Sequence, residues 1–300
     1  MLKVVQILMI VLGLIILFML SKDLSKKLKN NTLEKGSPLA LSFIGIIANF
    51  FDTLGIGSFA IETGFFKNFK LVDDRLIPGT LNVGATIPTI VEALIFLTAI
   101  KVEPITLFSM IFSSVLGAIF GAAIVSKLNK RAIQISMGFA LIFVAIFILG
   151  GLLHLFPAGG NLKGLTGIKL IIALIGNFII GALNTLGIGN YAPCMALVFA
   201  LGMDPKVAFP IMMGSAALLM PAASFKFIKE EAHSTKASFI IGLLGPIGVL
   251  VAAFIVKSLP LGTLKWVVVG VLIYTSIAMF KSAKDTKKNI AAVDNKKIAA

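Results

Sequence analysis

Three acids stand inside long apolar runs: Asp52, Glu62 and Glu92. Charging a side chain at membrane depth is costly, so each is a candidate to carry a coupling proton. The plainer alternative is a neutral acid, hydrogen-bonded for structure or facing a water-filled vestibule. Asp52 opens the nonapeptide DTLGIGSFA, residues 52–60, and 132 residues later the chain reads NTLGIGNYA, residues 184–192. Six of the nine positions are identical, and the other three exchange Asp for Asn, Ser for Asn and Phe for Tyr.

Glycine in a helix interior costs about 1 kcal/mol against alanine. Two glycines at i and i+2, Gly55 with Gly57 and Gly187 with Gly189, therefore argue for a broken helix. Broken backbone at membrane depth must be buried in protein or line a wet cavity. The break frees backbone N–H groups at the start of the following half-helix, where the dipole also favours an anion. Thr53, Ser58, Asn184, Thr185 and Asn190 add neutral polar groups around the two breaks. Together these residues can hold an oxyanion without a buried lysine. The alternative is that the glycines serve only close helix packing, as small residues do in membranes.

Other reactive residue types are few. Cys194 is the single cysteine, which excludes an intramolecular disulfide and gives no zinc pattern. A lone cysteine is usually a small apolar filler. His154 and His233 have no metal-ligand spacing, so no metal and no cofactor are expected. Gly-Ile-Gly is not a nucleotide loop, and no ATP-binding motif is present. An enzyme would need a nucleophile–base pair or a metal set within the membrane; none is legible, and the chain is read as a non-enzyme.

The elements that must position these residues are membrane helices. The 300 residues are 58% hydrophobic and only 13% charged, far from the balance of a soluble domain. Mean hydropathy is +1.03, and apolar runs of bilayer length recur along the whole chain. The net charge of +14 is assigned to loops that set membrane orientation rather than to nucleic acid. The first apolar run is too long for a signal peptide and lacks a small-residue cleavage site, so it reads as an uncleaved helix.

The repeat divides the chain. Residues 1–37 form a first helix and a basic linker. The first repeat is 38–153 and the second 168–280, each a glycine-broken element followed by three membrane helices. At the 132-residue offset Pro78 aligns with Pro210. Residues 281–300 read as a disordered basic tail. If both broken elements are re-entrant, 20 of the 27 lysines and arginines fall on one side. If both cross, the groups at 67–75 and 127–131 change sides and the bias weakens to 17. The positive-inside rule thus favours re-entry, with the basic tail in the cytoplasm. Three crossings per half then make the repeats inverted. The expected fold is an all-α polytopic membrane protein with seven full crossings and two re-entrant elements, the plan of many secondary transporters.

Two halves that each open with a TLGIG-type break, followed in the second by YAPCMALVFALGMDPKVA and then GSAA, resemble the sulfite exporter TauE/SafE family of membrane permeases. The resemblance spans roughly residues 38–280. It departs from the family pattern at Ser58 and Phe59, where further glycines are common, and at Ile61, which stands opposite Pro193. It implies a multi-pass plasma-membrane permease for sulfite, sulfonates or related organosulfur anions. The partners it implies are a small anion and the lipid bilayer, with homo-oligomerisation left open. The alternatives are a channel or permease for a neutral or other metabolite, and a non-transporting membrane subunit.

Overall fold

The computed structural model describes residues 2–96, 102–155, 159–254 and 261–298, and the side chains of residues 2, 261–264 and 291–298 are left aside. The described chain is helical, without a named strand. Its elements are α1 (Leu2–Lys29), α2 (Pro38–Thr53), α3 (Ser58–Asn68), a 3-10 turn at Asp74–Leu76, α4 (Ile77–Phe96), α5 (Pro104–Val125), α6 (Lys130–Leu152), α7 (Gly167–Asn184), α8 (Tyr191–Ala200), α9 (Pro205–Lys229), α10 (Thr235–Phe254) and α11 (Leu261–Ile298). Among the described residues, eight helices are long and apolar enough to cross a membrane. They are α1, α4–α7 and α9–α11.

Local chemistry sets the helix starts. Ser37, Glu103 and Asp204 each cap a helix whose first residue is proline, at α2, α5 and α9. Each side chain accepts first-turn N–H groups, and proline gives up no useful donor there. Both expected breaks are present. The glycines at matched positions all have positive φ, 84° and 94° at Gly55 and Gly57, 97° and 74° at Gly187 and Gly189. Side-chain-bearing residues rarely adopt that backbone, which accounts for glycine at these four places.

The two halves pack by exchanging partners. Helix α2 lies on α10, and its counterpart α7 lies on α5; α4 also lies on α10, and α9 on α5. Counterparts also meet, α4 with α9 and α6 with α11, and α4 and α9 are the most buried of the long helices. Small residues allow the closest approaches. A Cβ on Gly117 of α5 would sit 1.9 Å from the Phe178 carbonyl oxygen of α7. One on Gly248 of α10 would sit 2.0 Å from the Ile46 carbonyl oxygen of α2.

Each broken element ends beside its own start. Gly36, just before α2, packs against the Leu71 carbonyl that follows α3. The chain before α7 pairs with the chain after α8: the Gly160 N–H donates to the Met203 carbonyl at 2.9 Å, and the Asp204 N–H to Leu162 at 2.8 Å. The ends of α2–α3 sit with the α5–α6 and α9–α10 turns. There Lys130 pairs with Asp73, and Lys236 donates to the Gly36 carbonyl. The ends of α7–α8 sit with the residues that begin α5, where the Glu103 N–H donates to the Lys163 carbonyl. The two sets of ends therefore lie at opposite ends of α5.

Helix α1 is tied at its carboxyl end. Lys26 pairs with Glu231 at 2.9 Å, Lys27 with Glu34 at 2.6 Å, and Thr235 donates its hydroxyl to Asp23. His233 is buried there, with Nδ1 3.1 Å from the Ser238 hydroxyl. The segment 281–300 is expected to lack structure; α11 continues through Ile298, and residues 299–300 lie outside the described residues. Lys67 donates to the Ser282 hydroxyl and Thr286 to Gln134, so neighbouring elements hold the helix beyond its apolar part. Alanine and lysine are also good helix formers.

Candidate functional site

The two breaks face each other. Gly55, Gly57 and Ser58 from the first and Asn184, Gly189 and Asn190 from the second line one central cavity of about 80 Å³, with Asp52 and Tyr191 on its wall. A vestibule of about 370 Å³ shares that wall and adds Thr53 and Glu92. Phe199, Gly151 and Lys265 also line it, from the ends of α8 and α6 and the start of α11. Six of the nine residues singled out as a binding set thus meet at one place, and Thr53 borders the adjoining space.

Two of the nine do not line either cavity. Thr185 is fully buried and its hydroxyl donates to the Ala182 carbonyl at 2.6 Å, the bond that closes α7. Gly187 packs towards Leu81 and Met137. Thr53 likewise spends its hydroxyl hydrogen on Asn49, one turn back at 2.9 Å. The threonines at the breaks therefore serve the ends of α2 and α7, where unpaired carbonyls need donors.

The breaks differ where Asp52 stands opposite Asn184. The Asp52 carboxylate accepts the Ser58 N–H at 2.8 Å, so the first break supplies its own anion to the start of α3. Asn184 turns away from α8 instead: its amide donates to the Asn82 side chain at 3.1 Å. The Asn82 amide reaches the Asn184 and Thr185 carbonyls, each at 3.4 Å, and so covers the open end of α7. Among the described residues no side chain caps α8, and the Asn190 amide is held by the Met212 carbonyl at 2.9 Å. Of the two half-helix starts, that of α3 thus has a carboxylate at its first N–H, and that of α8 has none among the described residues.

The remaining acids are bare. Glu92, 1% exposed, has the Tyr191 hydroxyl as a neighbour, but neither group makes a close hydrogen bond among the described residues. Both side chains face the vestibule. Glu62 is fully buried with two unpartnered oxygens. It lies one turn after Ser58 on α3, on the same face, and lines neither cavity. Buried polar atoms normally find partners, so these unpaired acids are exceptions within the buried part of the chain.

Asn82 and Tyr191 went unmarked in the sequence reading. Tyr191 had a signal: it replaces Phe59 in the repeated nonapeptide, adding one hydroxyl to an otherwise matched position. Asn82 had none, because its partner lies 102 residues away across the repeat interface. Below it, the Thr86 hydroxyl meets the Ser224 hydroxyl at 2.9 Å and joins α4 to α9. Comparison with known proteins found no matching family model, no matching curated protein and no matching solved structure.

Proposed function

We propose that this multi-pass membrane protein is a proton-coupled secondary transporter for a small anion. The observation that carries the reading is the pair of glycine breaks lining one cavity, with a vestibule beside it whose wall holds Asp52 and the unpartnered Glu92. Broken helices meeting between two related halves are how many transporters bind cargo at the bilayer midplane. In this reading the halves are inverted repeats. The return of each broken element to its own start, at opposite ends of α5, supports that arrangement. The basic ends of α2–α3 then face the cytoplasm of a cell whose plasma membrane holds the protein.

The free amino end of α8 receives the anion, with the Asn190 and Gly189 backbone beside it. Asp52 and Glu92 border the same space. An anion enters beside them at low cost only when they are protonated, which ties cargo entry to proton uptake. The resemblance to TauE/SafE permeases adds the cargo class: sulfite, a sulfonate or a related organosulfur anion. A cationic cargo is the second reading, favoured by Asp52 filling the start of α3 and by two acids on one vestibule wall.

Sealed proteoliposomes separate the two. Uptake is screened across sulfite, thiosulfate, small sulfonates, sulfate and small carboxylates, with and without an inward proton gradient. Gradient-driven uptake of one of these anions supports the proposal. No anion flux, with gradient-driven flux of a small organic cation, favours the second reading.

A further inference from the structure

A third cavity, of about 520 Å³, lies away from the breaks, where the ends of α2–α3 meet the α9–α10 turn and α11. Its size is that of a small-molecule site. Lys35, Lys67, Lys70 and Lys130 line it, with the hydroxyls of Ser234 and Ser282. Three acids share the wall, and each is already engaged. Glu34 holds Lys27 at 2.6 Å and accepts the Thr235 and Lys236 N–H groups. Asp73 holds Lys130 at 2.6 Å, and Asp74 holds Lys67 at 2.5 Å together with the Gln134 amide.

Those pairings leave Lys35 and Lys70 without an acid partner among the described residues, on the rim of one concave space. Position 70 closes α3 with a φ of 53°, a left-handed conformation that glycine would take at lower cost. Lysine there places a charge on the cavity wall. The Ser234 oxygen accepts the Ala237 N–H, so its hydroxyl hydrogen is free to donate. Surplus ammonium groups with neutral donors around a concave wall suit a phosphate group.

We propose that this cavity binds a phosphate-bearing anion between Lys35 and Lys70, either the headgroup of an anionic lipid or a free phosphate. The site stands independently of the transport reading. A phosphate there joins α2 and α3 at their base to α11, so occupancy braces the first broken element from below. Placement at the basic end of the bundle matches where anionic headgroups collect on membrane proteins.

The full-length protein tests this with two probes. Inorganic phosphate is titrated in neutral detergent, read by the shift in unfolding temperature. Separately, the protein is reconstituted in nanodiscs of phosphatidylcholine with or without phosphatidylglycerol, and lipids retained after extraction are counted by mass spectrometry. Lys35→Gln with Lys70→Gln is compared with Lys22→Gln with Lys229→Gln, which removes the same charge elsewhere on exposed residues. All four lysines sit outside the helix interfaces, so both variants fold. The double change at the cavity is expected to weaken the responding probe at least about tenfold, with the control unchanged. Response to phosphate identifies a free anion, and selective retention of phosphatidylglycerol identifies a headgroup. No response to either probe, or equal loss in both variants, overturns the proposal.

Discussion

The Asp52 carboxylate accepts the Ser58 N–H at 2.8 Å, closing the first glycine break on itself. In the second repeat Asn184 faces Asn82 instead, and among the described residues no side chain caps α8. One repeat thus presents an acid at its break and the other presents free backbone. In the proposed transport reading, this single exchange would give two matched elements an acidic side and an anion-receiving side.

Asp52→Asn separates charge from capping. Asparagine keeps an oxygen for the Ser58 N–H and is as good a cap as aspartate. The variant is expected to fold at wild-type stability and lose its response to an imposed proton gradient. Asp52→Ala removes the cap as well and is expected to cost about 1 kcal/mol of stability. Thermal unfolding in detergent and vesicle flux, measured together, check both expectations.

Glu92→Gln keeps size and hydrogen-bonding capacity but cannot titrate. Transport in the variant is expected to become insensitive to a pH gradient, with substrate binding spared. Flux at matched protein density is the measurement. A gradient response equal to wild type moves the coupling role to Glu62 or to Asp52 alone.

Glycines at breaks and at helix crossings are expected to fail differently. A Cβ at Gly57 or Gly189 meets nothing within 4 Å, so alanine there pays only for positive φ, about 1–3 kcal/mol. A Cβ at Gly117 would lie 1.9 Å from the Phe178 carbonyl oxygen, and alanine must push α5 from α7, at about 3 kcal/mol. Unfolding temperatures of the three single variants give the order.

Acid is expected to loosen the tie between α1 and the α9–α10 turn. Burial pushes the Glu34 carboxyl up, but hydrogen bonds from Lys27 and the Lys236 N–H outweigh it and hold the group below its ordinary value of 4.5. A carboxylate held low in the folded state adds stability above its unfolded value, and that stability is lost as pH falls below it. The wild type should therefore lose stability as pH drops through about 4.5 and below, and Glu34→Gln should lack that component. Unfolding temperature against pH for the pair is the test.

Topology is checked by labelling single cysteines placed in a Cys194→Ala background. Cysteines at Lys70 and Asn129 are expected to label from the cytoplasmic side, and one at Leu162 from outside. Labelling of 70 and 129 from outside contradicts re-entry, and with it the inverted repeats.

The breaks were legible because glycine at i and i+2 is a backbone signal that needs no partner. All four glycines took positive φ, and the two nonapeptides met at one cavity. The roles of their polar neighbours were not legible. Thr53 and Thr185 could point at a ligand or back at their own helices, and spacing does not encode that choice of rotamer. The Asp52 bond to Ser58 depends on how sharply the chain turns at Gly55 and Gly57. Asn82 depends on a contact across the repeat interface. The helix beyond residue 280 is held by Lys67 and Gln134, which belong to distant segments.

The most direct test is sulfite and sulfonate uptake into proteoliposomes under an inward proton gradient, comparing wild type with Gly57→Leu and Gly189→Leu. A leucine at either place would fill the space where the two breaks face each other. The prediction is gradient-driven uptake by the wild type, and none by either variant, although both insert into membranes at wild-type levels. Wild-type uptake in either leucine variant, or no anion uptake by the wild type, would contradict a transport site between the breaks.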